Sequence, residues 1–241
     1  VKLSAPPHRL KQRARTLSRE QGIPLNKALN RIAQEEGFRS WSLLAARTSG
    51  LPSARDLLAQ LSPGDLVLLA ARPGQGKTMM GLELIAEAIR QGHRAAFFTL
   101  EYTANDVFDR LRAVGADLAS FQDRFEFDDS DGINADRIKD RLALAPRGTV
   151  AVVDYLQLLD QKRENPELSV QVQTLRSFAR QAGLIIVMIS QIDRSFDPSA
   201  RALPGLDDVR LPNPLDLTLF SKACFLNNGS MQVRPIDGLS P

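Results

Sequence analysis

The chain has little of several residues on which common chemistries depend. Its single cysteine, Cys224, excludes an internal disulfide framework and a cysteine-ligated zinc site. Two histidines, His8 and His93, leave little for histidine catalysis or metal binding. Long apolar runs are missing too. Leu66–Ala71 and Leu184–Ile189 fall far short of the roughly 18 residues that a membrane-spanning helix needs. The basic N-terminal residues are followed by neither an apolar stretch nor a small-residue cleavage site, so no secretory signal is read. The expectation is a soluble, cytoplasmic chain with no membrane partner. What remains is ordinary for a folded protein: 241 residues, 43% hydrophobic and 24% charged, enough for one sizeable core plus a small appendage.

The net charge of +3 is unevenly spread. Residues 1–49 hold ten Lys/Arg against three Asp/Glu, a net +7, while the other 192 residues hold 21 against 25, a net −4. A basic head on a mildly acidic body suggests an anionic partner for the head, although charged helix faces are more often simply solvated.

The head reads as three short helices: a basic stretch Arg9–Glu20, a second opened by Pro24 with Leu25, Ala28, Leu29 and Ile32 at helical spacing, and a third capped by Ser40 and anchored by Trp41. The string Ser49-Gly50-Leu51-Pro52-Ser53 reads as a linker, which divides the chain into a small all-helical domain, 1–49, and a larger domain, 50–241. From residue 64 onward, apolar runs alternate with helical segments. The runs Leu66–Ala70, Ala95–Leu100, Val150–Val153 and Leu184–Ile189 are of the kind buried on both faces of a sheet. The intervening helices are predicted over Lys77–Gln91, Thr103–Val114, Asn134–Ala143 and Glu167–Gln181, the last with Asn165 as cap and Pro166 as first helical residue. This alternation predicts an α/β fold with a mostly parallel, twisted sheet flanked by helices. Ala223–Leu226, Asn227-Asn228-Gly229 and Met231–Arg234 add a terminal hairpin.

The strongest motif is Ala71-Arg72-Pro73-Gly74-Gln75-Gly76-Lys77-Thr78, a phosphate loop with Ala in place of its first glycine, lying after a predicted strand and opening a predicted helix. Gly74 and Gly76 let successive backbone N–H groups face a polyphosphate, and the helix N-terminus adds its positive dipole end. Lys77 supplies a full charge at the β/γ-phosphates, and the Thr78 hydroxyl is a ligand for Mg²⁺. Arg72, Pro73, Gly74, Gln75, Gly76, Lys77, Thr78 and Met79 are therefore the expected nucleotide-binding set, with ATP and Mg²⁺ as cofactors. Some 76 residues after Thr78, Asp154 ends an apolar strand, where such enzymes place a carboxylate near the metal. Glu101 and Gln191 also follow apolar runs, at the carboxyl edge where ligands of parallel sheets sit. There a carboxylate can deprotonate an attacking water, and an amide can contact the γ-phosphate.

Together these residues resemble the RecA-like ATPase domain of DnaB-type replicative DNA helicases over roughly residues 60–226. The resemblance is carried by the phosphate loop, Phe98-Thr99-Leu100-Glu101, Asp154-Tyr155-Leu156-Gln157-Leu158-Leu159 and Ser190-Gln191-Ile192-Asp193-Arg194. It implies a RecA-like P-loop fold with Glu101 as catalytic base, Asp154 as the Mg²⁺-side acid and Gln191 as γ-phosphate sensor, beside Lys77. It also implies a homo-oligomer, a hexameric ring, with single-stranded DNA in its channel. The 241 residues depart from the family in three places. The basic head does not match the long helical domain that binds primase. Asn227 and Asn228 stand where a Tyr-Arg pair is frequent. Only Gln232-Val233-Arg234-Pro235 lies where a Lys-x-Arg segment reaches into a neighbour's site. Arg210 and Arg234 are then the candidates for an arginine acting in trans.

Among weaker signals, Asp128-Asp129-Ser130-Asp131-Gly132 fails the calcium-loop pattern and reads as the approach to the helix from Asn134. The proline-rich segment from Ile192 to Pro214 is long for a structureless connection and reads as a mobile DNA-contacting loop, a packed surface loop or a subunit contact. The functional expectation is a Mg²⁺-dependent, DnaB-like ATP hydrolase acting on single-stranded DNA. Two alternatives are a non-translocating ATP switch controlling a protein assembly, and a DNA-binding regulator in which the head does the recognition.

Overall fold

The computed structural model describes residues 4–5, 7–49, 53–116, 121, 123–160, 164–211 and 213–236. Seven strands form one sheet: β1 (Leu66–Ala71), β2 (Ala95–Thr99), β3 (Phe125–Asp128), β4 (Val150–Asp154), β5 (Ile185–Gln191), β6 (Lys222–Asn227) and β7 (Ser230–Pro235). Their order in space is β3-β2-β4-β5-β1-β6-β7, and every pairing is parallel except the terminal β6–β7 hairpin. β1 shows why the central strands are continuously apolar. Leu66, Leu68 and Ala70 enter one core layer while Val67, Leu69 and Ala71 enter the other, so no position faces water.

β3 has no such run, because Glu126 and Asp128 alternate with Phe125 and Phe127, and the sequence reading passes over it. It survives as an edge strand. Phe125 and Phe127 are half-buried against the core, Asp128 is buried and paired with Arg137 at 2.8 Å, and Glu126 pairs with Arg141. The acidic string from Asp128 thus serves a salt bridge and a helix entry, and Asn134 caps that helix by accepting from Arg137 N–H.

The helices are α1 (Pro7–Gln21), α2 (Leu25–Glu35), α3 (Trp41–Ser49), α4 (Ala54–Leu58), α5 (Lys77–Arg90), α6 (Ala104–Ala113), α7 (Ala135–Arg141) and α8 (Leu168–Ala182). α1, α2 and α3 pack on one another through Leu10, Ala14, Ala28, Ile32, Ala33 and Leu44, with Trp41 partly buried against them. Of the linker string, Gly50, Leu51 and Pro52 lie outside the described residues. Its last member, Ser53, is not linker at all: with Asp56 it forms a capping box that starts the short α4. Arg55 of that helix pairs with the buried Glu87 of α5 at 3.1 Å, and Arg90 pairs with the same carboxylate.

One further expectation needs correction. Glu167, not Asn165, is the residue flanking the start of α8, and Pro166 lies outside the helix. Asn165 instead donates to the Leu159 carbonyl and its Oδ1 accepts from Asn134 Nδ2 at 3.3 Å, while the Pro166 carbonyl accepts from Gln171 Nε2, so the expected cap side chain is engaged elsewhere. The segment after β5 is a packed loop. Ile192 bridges Val209, Phe196 is buried beneath the Arg201 guanidinium, and Arg201 pairs with Asp208 at 2.7 Å.

α5 lies so close to the sheet that a side chain at Gly81 would be tightly crowded. A Cβ there would come within 3.0 Å of Val152 and 3.1 Å of Ile189. Gly81→Val is expected to destabilise the fold by about 1–3 kcal/mol through overpacking, with a β-branched side chain adding its own helix cost. Denaturant unfolding of the two chains measures it, and equal midpoints would mean that α5 can lift without penalty.

Candidate functional site

β1, β5, β4 and β2 are consecutive in the sheet and run in one direction, so their carboxyl ends share one edge. From β1 the chain turns through Arg72–Gly76 into α5. Gly76, with φ of +86°, and Gly74, with φ of +76°, hold left-handed torsions that favour glycine, and an added Cβ at either would meet nothing within 4 Å. The two glycines are therefore required by the turn and not by crowding, and the space beside them is open. α5 begins without a side-chain cap and without an acid in its first turn, which leaves its first N–H groups and dipole end for an anion. The expected nucleotide set sits here: Arg72 reaches the Phe196 carbonyl at 3.5 Å, Pro73 is exposed, and Met79 packs on the core. Gln75 Oε1 accepts from Asn228 N–H at 2.8 Å, tying the loop to the hairpin turn.

Asp154 ends β4 and is fully buried. Neither of its carboxylate oxygens has a partner in full hydrogen-bond geometry. Burial pushes its pKa up to about 6, against the pull of the facing Thr78 hydroxyl; Glu101 adds to the rise, while Lys77 and Arg110 oppose it. A buried carboxylate short of donors, beside a buried threonine hydroxyl, is a pair of hard oxygen donors that could hold a cation such as Mg²⁺. Among the described residues no group of three or more His, Cys, Asp or Glu could hold a metal.

Above this pair a cleft of about 260 Å³ is lined by Lys77, Glu101, Tyr155, Gln157, Gln191 and Arg210. Glu101 follows β2, its exposed side chain carried by a turn in which its N–H donates to Thr99 Oγ1 at 3.0 Å. Gln191 is the last residue of β5, in register with Ala71 at the foot of the phosphate loop. The structure thus brings together Lys77, Glu101 and Gln191, with Thr78 and Asp154 in the same region. Of the two arginines expected to act in trans, Arg210 lines this chain's own cleft, while Arg234 is exposed on the outermost strand, β7, opposite Ala223.

Three contributors were not assigned a role from sequence. Tyr155 and Gln157 lie in the quoted Asp154-Tyr155-Leu156-Gln157 string, whose placement at a strand end was the available signal. Arg110 of α6 stacks over the Tyr102 ring at 4.4 Å, and its charge is felt at Asp154. No local pattern marks it, because only folding carries α6 back over the sheet edge. Cys224 is inert by comparison, its thiol pushed up to about 12 by burial in β6.

The sequence model of the DnaB-like helicase C terminal domain matches residues 48–124 and 118–213. Replicative DNA helicase DnaB of Mycoplasma genitalium is 23% identical, over 74% of this chain and 46% of its own length. The protein of the same name from Leifsonia xyli is 24% identical, over 79% and 49% respectively. The chain thus spans about half the length of these curated relatives. Among solved structures, a DnaB-like replicative helicase, solved in a study of its interactions with primase, superposes with a TM-score of 0.54 at 18% identity, covering 68% of this chain and 47% of that one. A KaiC-like protein from the archaeon Pyrococcus horikoshii gives 0.51 at 16% identity, covering 67% and 70%. These likenesses establish the RecA-like fold. No helix among the described residues is long and apolar enough to cross a membrane. Since the matched region takes in well over half of the chain, with Lys77, Thr78, Glu101, Asp154, Gln191 and Arg210 inside it, the chain belongs to the DnaB-like helicase C terminal domain family.

Proposed function

We propose that this chain is a Mg²⁺-dependent ATPase motor that couples hydrolysis to binding or movement along single-stranded DNA, working as a homo-oligomer in the cytoplasm. The observation that carries the reading is the gathering of Lys77 and Glu101 in one cleft beside the buried, partner-poor Asp154. In this reading the phosphate-loop N–H groups and Lys77 bind and orient the triphosphate. Thr78 and Asp154 hold the cation, which would neutralise charge on the β- and γ-phosphates. Glu101 takes a proton from the attacking water, and Gln191 senses the terminal phosphate from the end of β5. The names of the relatives, replicative DNA helicases, support DNA as the polymer.

The head fits the same polymer, as a basic unit spanning residues 1–49. On α1, Lys11, Arg15 and Arg19 recur every four residues and are all exposed, whereas Arg13 is engaged by Glu35 and Glu36. A non-translocating ATP switch is the second reading. The observation favouring it is the packed state of the segment after β5, with Phe196 buried and Arg201 committed to Asp208.

Turnover is expected to rise on adding single-stranded DNA, with DNA affinity falling as salt increases at a log–log slope of roughly −0.7 per phosphate contact. Steady-state hydrolysis with and without DNA, across a salt series and alongside the oligomer mass, measures this. A monomer whose turnover ignores DNA would overturn the motor reading in favour of the switch.

A further inference from the structure

Arg210 is held by its backbone at the end of β5. Its N–H donates to the Gln191 carbonyl at 2.8 Å, and its own carbonyl accepts from Gln157 Nε2 at 3.2 Å. The residues just before it are fixed as well: Val209 bridges Ile192, and Asp193 N–H donates to the Asp208 carbonyl at 2.8 Å. Its side chain is exposed and has no ion pair among the described residues, and it lines the same small cleft as Lys77. Two cations therefore line one cleft whose only lining acid is Glu101, while Asp193, outside the lining, is close enough to Arg210 for the two charges to interact. Beside them Gln157 Oε1 is buried with no donor, so the cleft carries polar capacity that the chain itself does not use. Like charges brought to one cavity are stabilised by an anion, and the anion already placed near Lys77 by the phosphate loop is the end of a nucleoside triphosphate.

We infer that Arg210 contacts the terminal phosphate of the nucleotide bound to its own subunit, as a second cation beside Lys77, and does not serve as an arginine supplied to a neighbour. The inference rests on the ATPase reading above. A guanidinium at that position presents fixed donors to phosphate oxygens, and its tether to Gln191 and Gln157 fixes its approach. Because it meets the γ-phosphate alone, it distinguishes ATP from ADP. Arg210 is exposed, so its removal leaves no hole in the core.

The test compares wild type, Arg210→Ala, Arg210→Lys and Lys77→Ala as full chains, with the nucleotide measurements made without DNA and single-stranded DNA binding measured separately. Equilibrium binding of ADP and of a non-hydrolysable ATP analogue is measured first. Arg210→Ala is expected to weaken the triphosphate analogue by roughly 10- to 100-fold, the loss typical of one hydrogen bond to a charged group, and to leave ADP affinity unchanged. Arg210→Lys restores part of the loss. Turnover of Arg210→Ala stays low when it is mixed with Lys77→Ala, since each protein lacks part of the same site. Recovery on mixing would overturn the inference by showing that the arginine works across an interface. Unchanged analogue affinity would overturn it as well, and if single-stranded DNA binding were lost instead, the phosphate recognised would be that of the nucleic acid. Equal losses for ADP and the analogue would place Arg210 away from the terminal phosphate. If Lys77→Ala itself binds and hydrolyses ATP normally, the ATPase reading has failed, an outcome distinct from all of these.

Discussion

Glu101→Gln is expected to bind ATP as the wild-type chain does and to lose roughly 10²- to 10⁴-fold in turnover, the usual contribution of a positioned general base. The substitution keeps size and shape and removes only the basic oxygen. Glu101 is exposed, and its backbone anchor to Thr99 does not depend on its carboxylate, so the fold has no reason to respond. In the proposed site, binding depends instead on the α5 N-terminus, the phosphate-loop N–H groups and Lys77, all of which the variant retains. Lys77→Ala is the contrast, because it removes a charge used in both binding and turnover. Nucleotide titration and steady-state hydrolysis on the same preparations separate the two patterns. Turnover within a few-fold of wild type for Glu101→Gln would mean that the proton leaves by another group and that Glu101 is a solvated acid at a strand end.

Asp154→Asn is expected to make the nucleotide-free protein more stable at neutral pH while removing Mg²⁺-dependent turnover. The cause is the burial of a carboxylate whose oxygens lack partners, which raises its folded pKa from 3.8 to about 6. Below pH 3.8 both the folded and the unfolded chain carry the proton, and the group has no effect on stability. Between 3.8 and about 6 the folded state keeps a proton that the unfolded state has lost, so stability falls as pH rises, and above about 6 the loss is complete. At 1.36 kcal/mol per pH unit the full effect is at most about 3 kcal/mol. Asparagine carries no charge at any pH, so the variant escapes that loss, less the cost of an amide that also wants partners. The stability gap between the two chains should therefore widen from pH 4 to pH 6 and then stay level. Denaturant unfolding across that range measures it. A gap that is flat with pH, or that favours wild type at pH 7, would show that Asp154 is well satisfied in the folded chain. The pattern, if found, identifies Asp154 as a carboxylate whose charge the fold alone leaves unsatisfied.

How much of the molecule was readable before folding can be judged from particular residues. The central strands were legible because burial on both faces demands unbroken apolar runs, as in Val150–Val153. The phosphate loop was legible because its turn needs left-handed torsions at Gly74 and Gly76, followed at once by a helix that opens with Lys77. The edge strand β3 escaped, since its two acids read as loop until Arg137 and Arg141 arrive from α7 to pair with them. Asn165-Pro166 reads as a helix start because capping preferences are local, whereas the Asn165 side chain is taken by the Leu159 carbonyl and by Asn134, the latter 31 residues away.

The sequence by itself determined that the chain carries an α/β sheet, a phosphate loop and strand-end acids, because torsional requirements and burial periodicity act over a few residues. Tertiary structure alone decided which strand ends become neighbours. The order β2-β4-β5-β1 sets Glu101, Asp154, Gln191 and Lys77 along one edge, and crossovers of tens of residues decide that order. It also decided that Asp154 is sealed from water, that Arg110 leans over Tyr102 toward it, and that Arg210, distant in sequence from Lys77, shares a cleft with it. These follow from long-range packing, in which a side chain's surroundings are supplied by segments that sequence spacing leaves unspecified.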